Sequence, residues 1–152
     1  MTDFNELIPE MRDWNNGTGI DLKGWISCTG GFRLAVGYSA IFWPGFVEFE
    51  QYVLREGFSV EALRGFEEQC GGDRRRVEAV MNHLHIADIQ SPGCEDINRE
   101  RVVYLGRVLS EMYRAKLAWQ FPSKRFEVLF DDSYAKSLTD YEITFVQSDA
   151  VA

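Results

Sequence analysis

Phe4, Leu7, Ile8, Met11 and Trp14 recur at intervals of three and four, which predicts an amphipathic helix over residues 4–14. Asn15-Asn16-Gly17 stops it with residues that tolerate positive φ. Asp21 is placed to cap a second short helix through Cys28, ended by Gly30-Gly31. Phe32, Leu34, Val36 and Tyr38 alternate instead, so residues 32–41 read as a strand. Residues 45–56 admit two readings. As a strand, Val47, Phe49 and Val53 face one way, and Glu48, Glu50, Tyr52 and Leu54 the other. As a helix, Pro44 occupies the first position, Phe46, Phe49 and Val53 share a face, and Gly57 is the stop. A short turn followed by a strand is the preferred reading.

Three helices follow. Ser59 caps the first, which runs to about Cys70 and ends at Gly71-Gly72. Asp73 caps the second, with Val77, Val80, Met81 and Leu84 as its apolar stripe. Asn98 begins the longest, where Leu105, Val108, Leu109, Met112, Ala115 and Trp119 keep helical spacing until Pro122. Phe126, Val128 and Phe130 alternate on one closing strand, and Tyr141, Ile143 and Phe145 on the other. The expected fold is α+β: about four to five helices packed on a small, mainly antiparallel sheet. No repeat, low-complexity tract or linker divides the chain, so residues 1–147 are expected to form a single domain and 148–152 a flexible tail.

Composition adds direction to this frame. At 152 residues the chain is one domain in size. Seven of its 21 aromatic residues (11 Phe, 6 Tyr, 4 Trp) fall within residues 38–58, so that window is either core or recognition surface. The net charge is −8, all of it in residues 1–100 (17 acids against 9 bases), while residues 101–152 balance at 7 of each. An acidic surface disfavours nucleic acid and anionic lipid and suits a basic protein partner. No apolar run is long enough to span a bilayer, and the acidic start, Met1-Thr2-Asp3, has no signal-peptide character. Cytoplasmic localisation is therefore expected. Cys28, Cys70 and Cys94 form no CxxC pair and read as free, partly buried thiols.

Few residues suggest chemistry. His83 and His85, with Asp88, offer three ligand types, but positions i and i+2 on a helix diverge by roughly 200°. They can share a metal only where the helix has already ended; no metal and no cofactor is expected, and His85 reads as a cation at a helix C-terminus. Gly37-Tyr38-Ser39-Ala40-Ile41 lacks the second glycine of a nucleophile elbow, and Gly17-Thr18-Gly19 is no phosphate loop. Glu48 and Glu50 share a strand face in one reading, where aromatic neighbours would desolvate them. Arg74-Arg75-Arg76 opposes the helix dipole unless acids such as Glu67, Glu68 or Glu78 answer it. Trp14, Trp25 and Trp119 lie on apolar stripes and read as core; Trp43, beside Pro44, is expected to be partly exposed.

Two stretches, GYSAIFWPGFVE (37–48) and VEAVMNHLHI (77–86), resemble a family of bacterial proteins without an assigned mechanism. The resemblance implies an immunity-like or accessory role beside secreted toxins and supplies no catalytic residue. The leading expectation is a non-enzymatic interaction protein that engages a basic partner, a toxin or other protein. Its binding surface would be drawn from Tyr38, Trp43, Glu48, Glu50, Tyr52, His83 and His85, with Trp43 and Tyr52 as apolar anchors and the two glutamates steering. The alternative is a small hydrolase or ligand-binding enzyme using Glu48 and Glu50 with His83, His85 and Asp88. A homodimer burying the aromatic stretch is a third possibility.

Overall fold

A computed structural model describes residues 1–134 and 136–149. Its contacts group the chain into two compact units, Met1–Ser39 and Ala40–Ala152.

The first unit is helical. Its helices are α1 (Phe4–Leu7), α2 (Trp14–Gly17), α3 (Leu22–Thr29) and most of α4 (Phe32–Phe42), which runs on into the second unit. The expected continuous helix over 4–14 is broken: Pro9 opens a separate 3₁₀ turn, Pro9–Asp13. A proline is tolerated at a helix start but has no N–H to donate in a helix interior. Asn15 and Asn16 have φ of 54° and 56°, the left-handed conformation that ends the segment as expected. Asp21 caps α3 by accepting the Gly24 N–H at 2.7 Å. The strand expected over 32–41 is instead helix α4. Its alternation is not a sheet pattern at all, because none of the residues of α4 is buried.

The second unit is α+β. Strands β1 (Phe46–Phe49) and β2 (Tyr52–Arg55) form an antiparallel hairpin, which settles residues 45–56 as two strands and excludes the helix. Glu50 enables the two-residue turn with a φ of 55°. That turn also changes the faces. Phe49 pairs with Tyr52 and Glu48 with Val53, so Phe49 lies with Tyr52 and Leu54, not with Val53. Helices α5 (Val60–Gln69), α6 (Arg74–Met81) and α7 (Arg99–Gln120) follow, capped by Ser59, Asp73 and Asn98 as the sequence predicts. A second antiparallel sheet has the order β3 (Leu84–His85), β5 (Glu142–Gln147), β4 (Phe126–Phe130).

The main core lies between α7 and the sheets, with Phe46, Val53, Leu109, Tyr113, Leu117, Ile143 and Phe145 at its centre. The buried stripe of α7 is Val102, Val103, Gly106, Leu109, Ser110, Tyr113 and Leu117. It is rotated from the expected stripe, so Trp119 is not core: it is 70% exposed. The reason is Gly106, where a Cβ would overlap the Phe130 ring; the missing side chain lets β4 approach closely on that face. A smaller cluster of Tyr52, Leu54, Leu63 and Val77 sits on the other side of the hairpin.

The two sheets are joined by side chains of α6 and its C-cap. Glu78, fully buried, accepts the Val53 N–H at 2.9 Å and the Gln147 N–H at 2.7 Å, and also the Gln147 amide. Asn82 accepts the Arg55 N–H at 3.1 Å and donates to the carbonyls of Val53 (3.0 Å) and Phe145 (3.2 Å). One carboxylate and one amide thus satisfy the facing edges of β2 and β5, groups that would otherwise be buried without partners. Glu78 is therefore not the answer to the arginine run. Arg74 pairs with Asp149 at 2.8 Å and Arg75 with Glu127 at 2.5 Å. Of the tail expected to be flexible, Ser148 donates its N–H to the Arg125 carbonyl at 2.9 Å, and residues 150–152 lie outside the described residues.

Candidate functional site

Helix α6 ends at Met81 because Asn82, as C-cap, turns its side chain to the sheet edges. The chain is extended by His85, where β3 pairs with β5 and places His85 directly opposite Glu142. The helical divergence that would keep His83 and His85 apart therefore does not apply: beyond the helix, i and i+2 return to the same side. Their rings meet edge to face with centroids 5.2 Å apart. His83 Nδ1 lies 2.6 Å from the Val80 carbonyl oxygen. A carbonyl only accepts, so Nδ1 carries a proton, and in the neutral ring Nε2 is the nitrogen with the lone pair. His85 Nε2 lies 3.8 Å from Glu142 Oε2, while its buried Nδ1 has no hydrogen-bond partner among the described residues. Ligand atoms of His83, His85 and Glu142 all fall within 4.8 Å of one another. Asp88, the third potential ligand in the sequence, is exposed on the 3₁₀ turn Ile86–Ile89 and is not part of this group.

His83 and Glu142 also line an open groove of about 720 Å³ together with Arg76, Asp131, Lys136 and Asp140. The backbone N–H of Ser133 and the Lys136 ammonium hold the Asp131 carboxyl below its usual range. The groove is therefore lined by fixed charges of both signs, with apolar surface from Val80, Leu129 and Phe130 between them.

The remaining expected residues do not form one surface with the histidines. Glu48 is tied to Lys124 at 2.9 Å and Glu50 to Arg64 at 2.6 Å, so the two carboxylates answer separate cations on different elements. Hydrogen bonds from Arg64 lower the pKa of Glu50, the opposite of the rise that acid catalysis would need. Tyr52 is fully buried, so it cannot be an exposed anchor; its ring belongs to the smaller core. Tyr38 is half-buried on α4. Among the described residues no hydrogen bond, ion pair or ring contact joins Trp43, Glu48 or Glu50 to His83 or His85.

Comparison with protein-family models, with curated proteins and with solved structures finds no match.

Two exposed apolar features stand out. Trp43 is 41% exposed and stacks obliquely on Trp119, centroids 6.3 Å apart. Lys116 Nζ stands 5.2 Å from one ring and 4.7 Å from the other, a double cation–π contact. The second feature is α4 in the first unit. Phe32 is 93% exposed, Val36 71% and Leu34 58%, with Ile26 of the preceding helix also exposed. From Leu22 to Val47 the sequence holds no acid and only two cations, Lys23 and Arg33. Sequence reading missed this surface because a strand assignment gave those residues a sheet to pack on. It missed Glu142 because only the β3–β5 register brings that residue to the histidines. Cys28, expected to be partly buried, is exposed, and the other two thiols are half-buried and free.

Proposed function

We propose that the protein acts by binding another protein, and that α4 is its docking element. The observation that carries this is the exposure of Phe32, Leu34 and Val36 within five residues of one helix. Large apolar side chains exposed this fully and this close together on one element mark interaction sites. A helix apolar on most of its circumference is suited to an apolar groove, which covers more than one face at once.

The partner this molecule fits is basic. Both units are acidic: Met1–Ser39 carries five acids against three bases, and the remainder nineteen against thirteen. A second copy would bring the same net charge of −8 and be repelled at approach, whereas a basic protein would be drawn in. The helix then supplies the apolar contact and the body of the molecule the long-range attraction. A cytoplasmic, immunity-like factor that covers a basic toxin is the form this reading takes, supported by the acidic balance and by the two resembling stretches.

A photo-crosslinking amino acid at position 34, introduced in the producing cells, tests it. The expected adduct joins this chain to a protein of net positive charge. The two purified proteins should then bind with an affinity that falls steeply between 50 and 300 mM salt (about a Debye length of 14 to 6 Å). Leu34→Asp should weaken that binding by about a hundredfold, the loss of a central anchor. An adduct between two copies of this chain, an acidic partner, no adduct at all, or unchanged binding by Leu34→Asp would each overturn the proposal.

A further inference from the structure

The geometry points to a divalent transition-metal site at His83, His85 and Glu142, with zinc the ion it suits best. Two imidazoles and one carboxylate form a mixed nitrogen and oxygen donor set, which favours zinc and its neighbours over calcium or magnesium. His85 and Glu142 come from two strands held in register, directly opposite each other, and His83 lies on the segment that leads into β3, so the backbone already fixes the approach of one pair of donors. Their ligand atoms lie within 4.8 Å of one another. Tetrahedral zinc with bonds of about 2.0–2.2 Å needs ligand atoms roughly 3.4 Å apart. The widest separation must therefore close by up to about 1.4 Å, a movement within side-chain rotation. His83 is exposed and the Glu142 side chain is 49% exposed, so both are free to make it.

The proton on His83 is already where a metal ligand needs it. The Val80 carbonyl holds the hydrogen on Nδ1 and leaves Nε2 to coordinate, the outer-shell arrangement that orients ligating histidines. Among the described residues His85 lacks such a partner: its buried Nδ1 makes no hydrogen bond with any of them. An outer-shell partner is worth about 10–100-fold in affinity, so this site binds more weakly by that factor than one with both rings anchored. Three protein ligands leave at least one coordination position, and His83 and Glu142 open on the groove, so that position is taken by solvent or by an oxygen ligand there.

The test is a calorimetric titration of the untagged, chelator-treated 152-residue chain with zinc chloride, paired with thermal unfolding. One equivalent of zinc should bind saturably and raise the melting temperature. His83→Ala and Glu142→Gln, both at exposed positions, should each weaken binding by at least about tenfold and abolish the thermal shift, with the metal-free melting temperature unchanged. Asp88→Asn should bind as the parent does. Absence of saturable binding up to millimolar zinc would overturn the assignment. So would binding that survives His83→Ala or Glu142→Gln, or that is lost in Asp88→Asn.

Discussion

Helix α6 and its C-cap bury Glu78 and Asn82 completely, whereas α4 leaves Phe32 and Val36 almost bare. The first carries three arginines in its opening turn and still anchors the interior; the second is mostly apolar and has no buried residue. Polarity alone predicts the reverse in both cases. What separates them is the availability of partners. Glu78 and Asn82 face two strand edges whose N–H and carbonyl groups are cut off from water, so polar side chains are the better fillers there. The α4 residues 32–37 have no interior to enter, and an uncovered apolar helix is what a partner-binding element looks like before its partner arrives.

This contrast can be broken most sharply at Glu78. Glu78→Ala leaves the Val53 and Gln147 N–H groups and the Gln147 amide without an acceptor, and should cost about 3–5 kcal/mol. Urea unfolding measures it; a loss below about 1 kcal/mol would mean that the two sheets do not depend on this bridge.

A matched pair of glycines sharpens the comparison further. Gly106→Ala puts a methyl into the Phe130 ring and should destabilise by roughly 1–3 kcal/mol despite the better helix propensity of alanine. Gly37→Ala, in α4, meets open space and should raise stability by up to about 1 kcal/mol. Opposite signs in thermal unfolding support the distinction between a packed and an uncovered helix; equal signs would remove it.

The smallest effect belongs to Tyr113, whose buried hydroxyl has no hydrogen-bond partner among the described residues. Tyr113→Phe removes that polar group and should stabilise by about 1 kcal/mol at neutral pH. Burial also pushes the Tyr113 phenol up from its ordinary value. The folded state therefore holds that proton more tightly than the unfolded chain does. Its contribution is complete below about pH 10 and is lost as pH rises beyond it. The variant should lose less stability than the parent between pH 9 and 11, which a pH series of unfolding midpoints would show; parallel curves would contradict the assignment.

Much of the second unit was legible without coordinates. Ser59, Asp73 and Asn98 mark three helix starts, Gly71-Gly72 a stop, and the alternation at Phe126–Phe130 a strand, because caps and periodicity are local and need no distant partner. The α+β class follows from their order. Three things were not legible, each for a non-local reason. The alternation of Phe32, Leu34, Val36 and Tyr38 looked like a strand because a two-residue period carries no information about whether a neighbouring strand exists. The buried face of α7 depended on Gly106 and Tyr113, a residue with no side chain and one with a polar tip, which a count of apolar positions passes over. Tyr52 is core and not a surface anchor because a two-residue hairpin turn, not the spacing of the residues, decides which face it shares.

The candidate sites divide in the same way. The sequence by itself determined which donors exist, two histidines and an excess of carboxylates, and that Trp43 would stand partly in solvent. Only the tertiary structure decided that Glu142 joins His83 and His85, that Glu48 and Glu50 are each held by a different cation, and that α4 is bare. Register between strands, long-range ion pairing and the absence of a covering surface are set by contacts between segments far apart in the chain, and a residue's own neighbours in sequence carry no record of them.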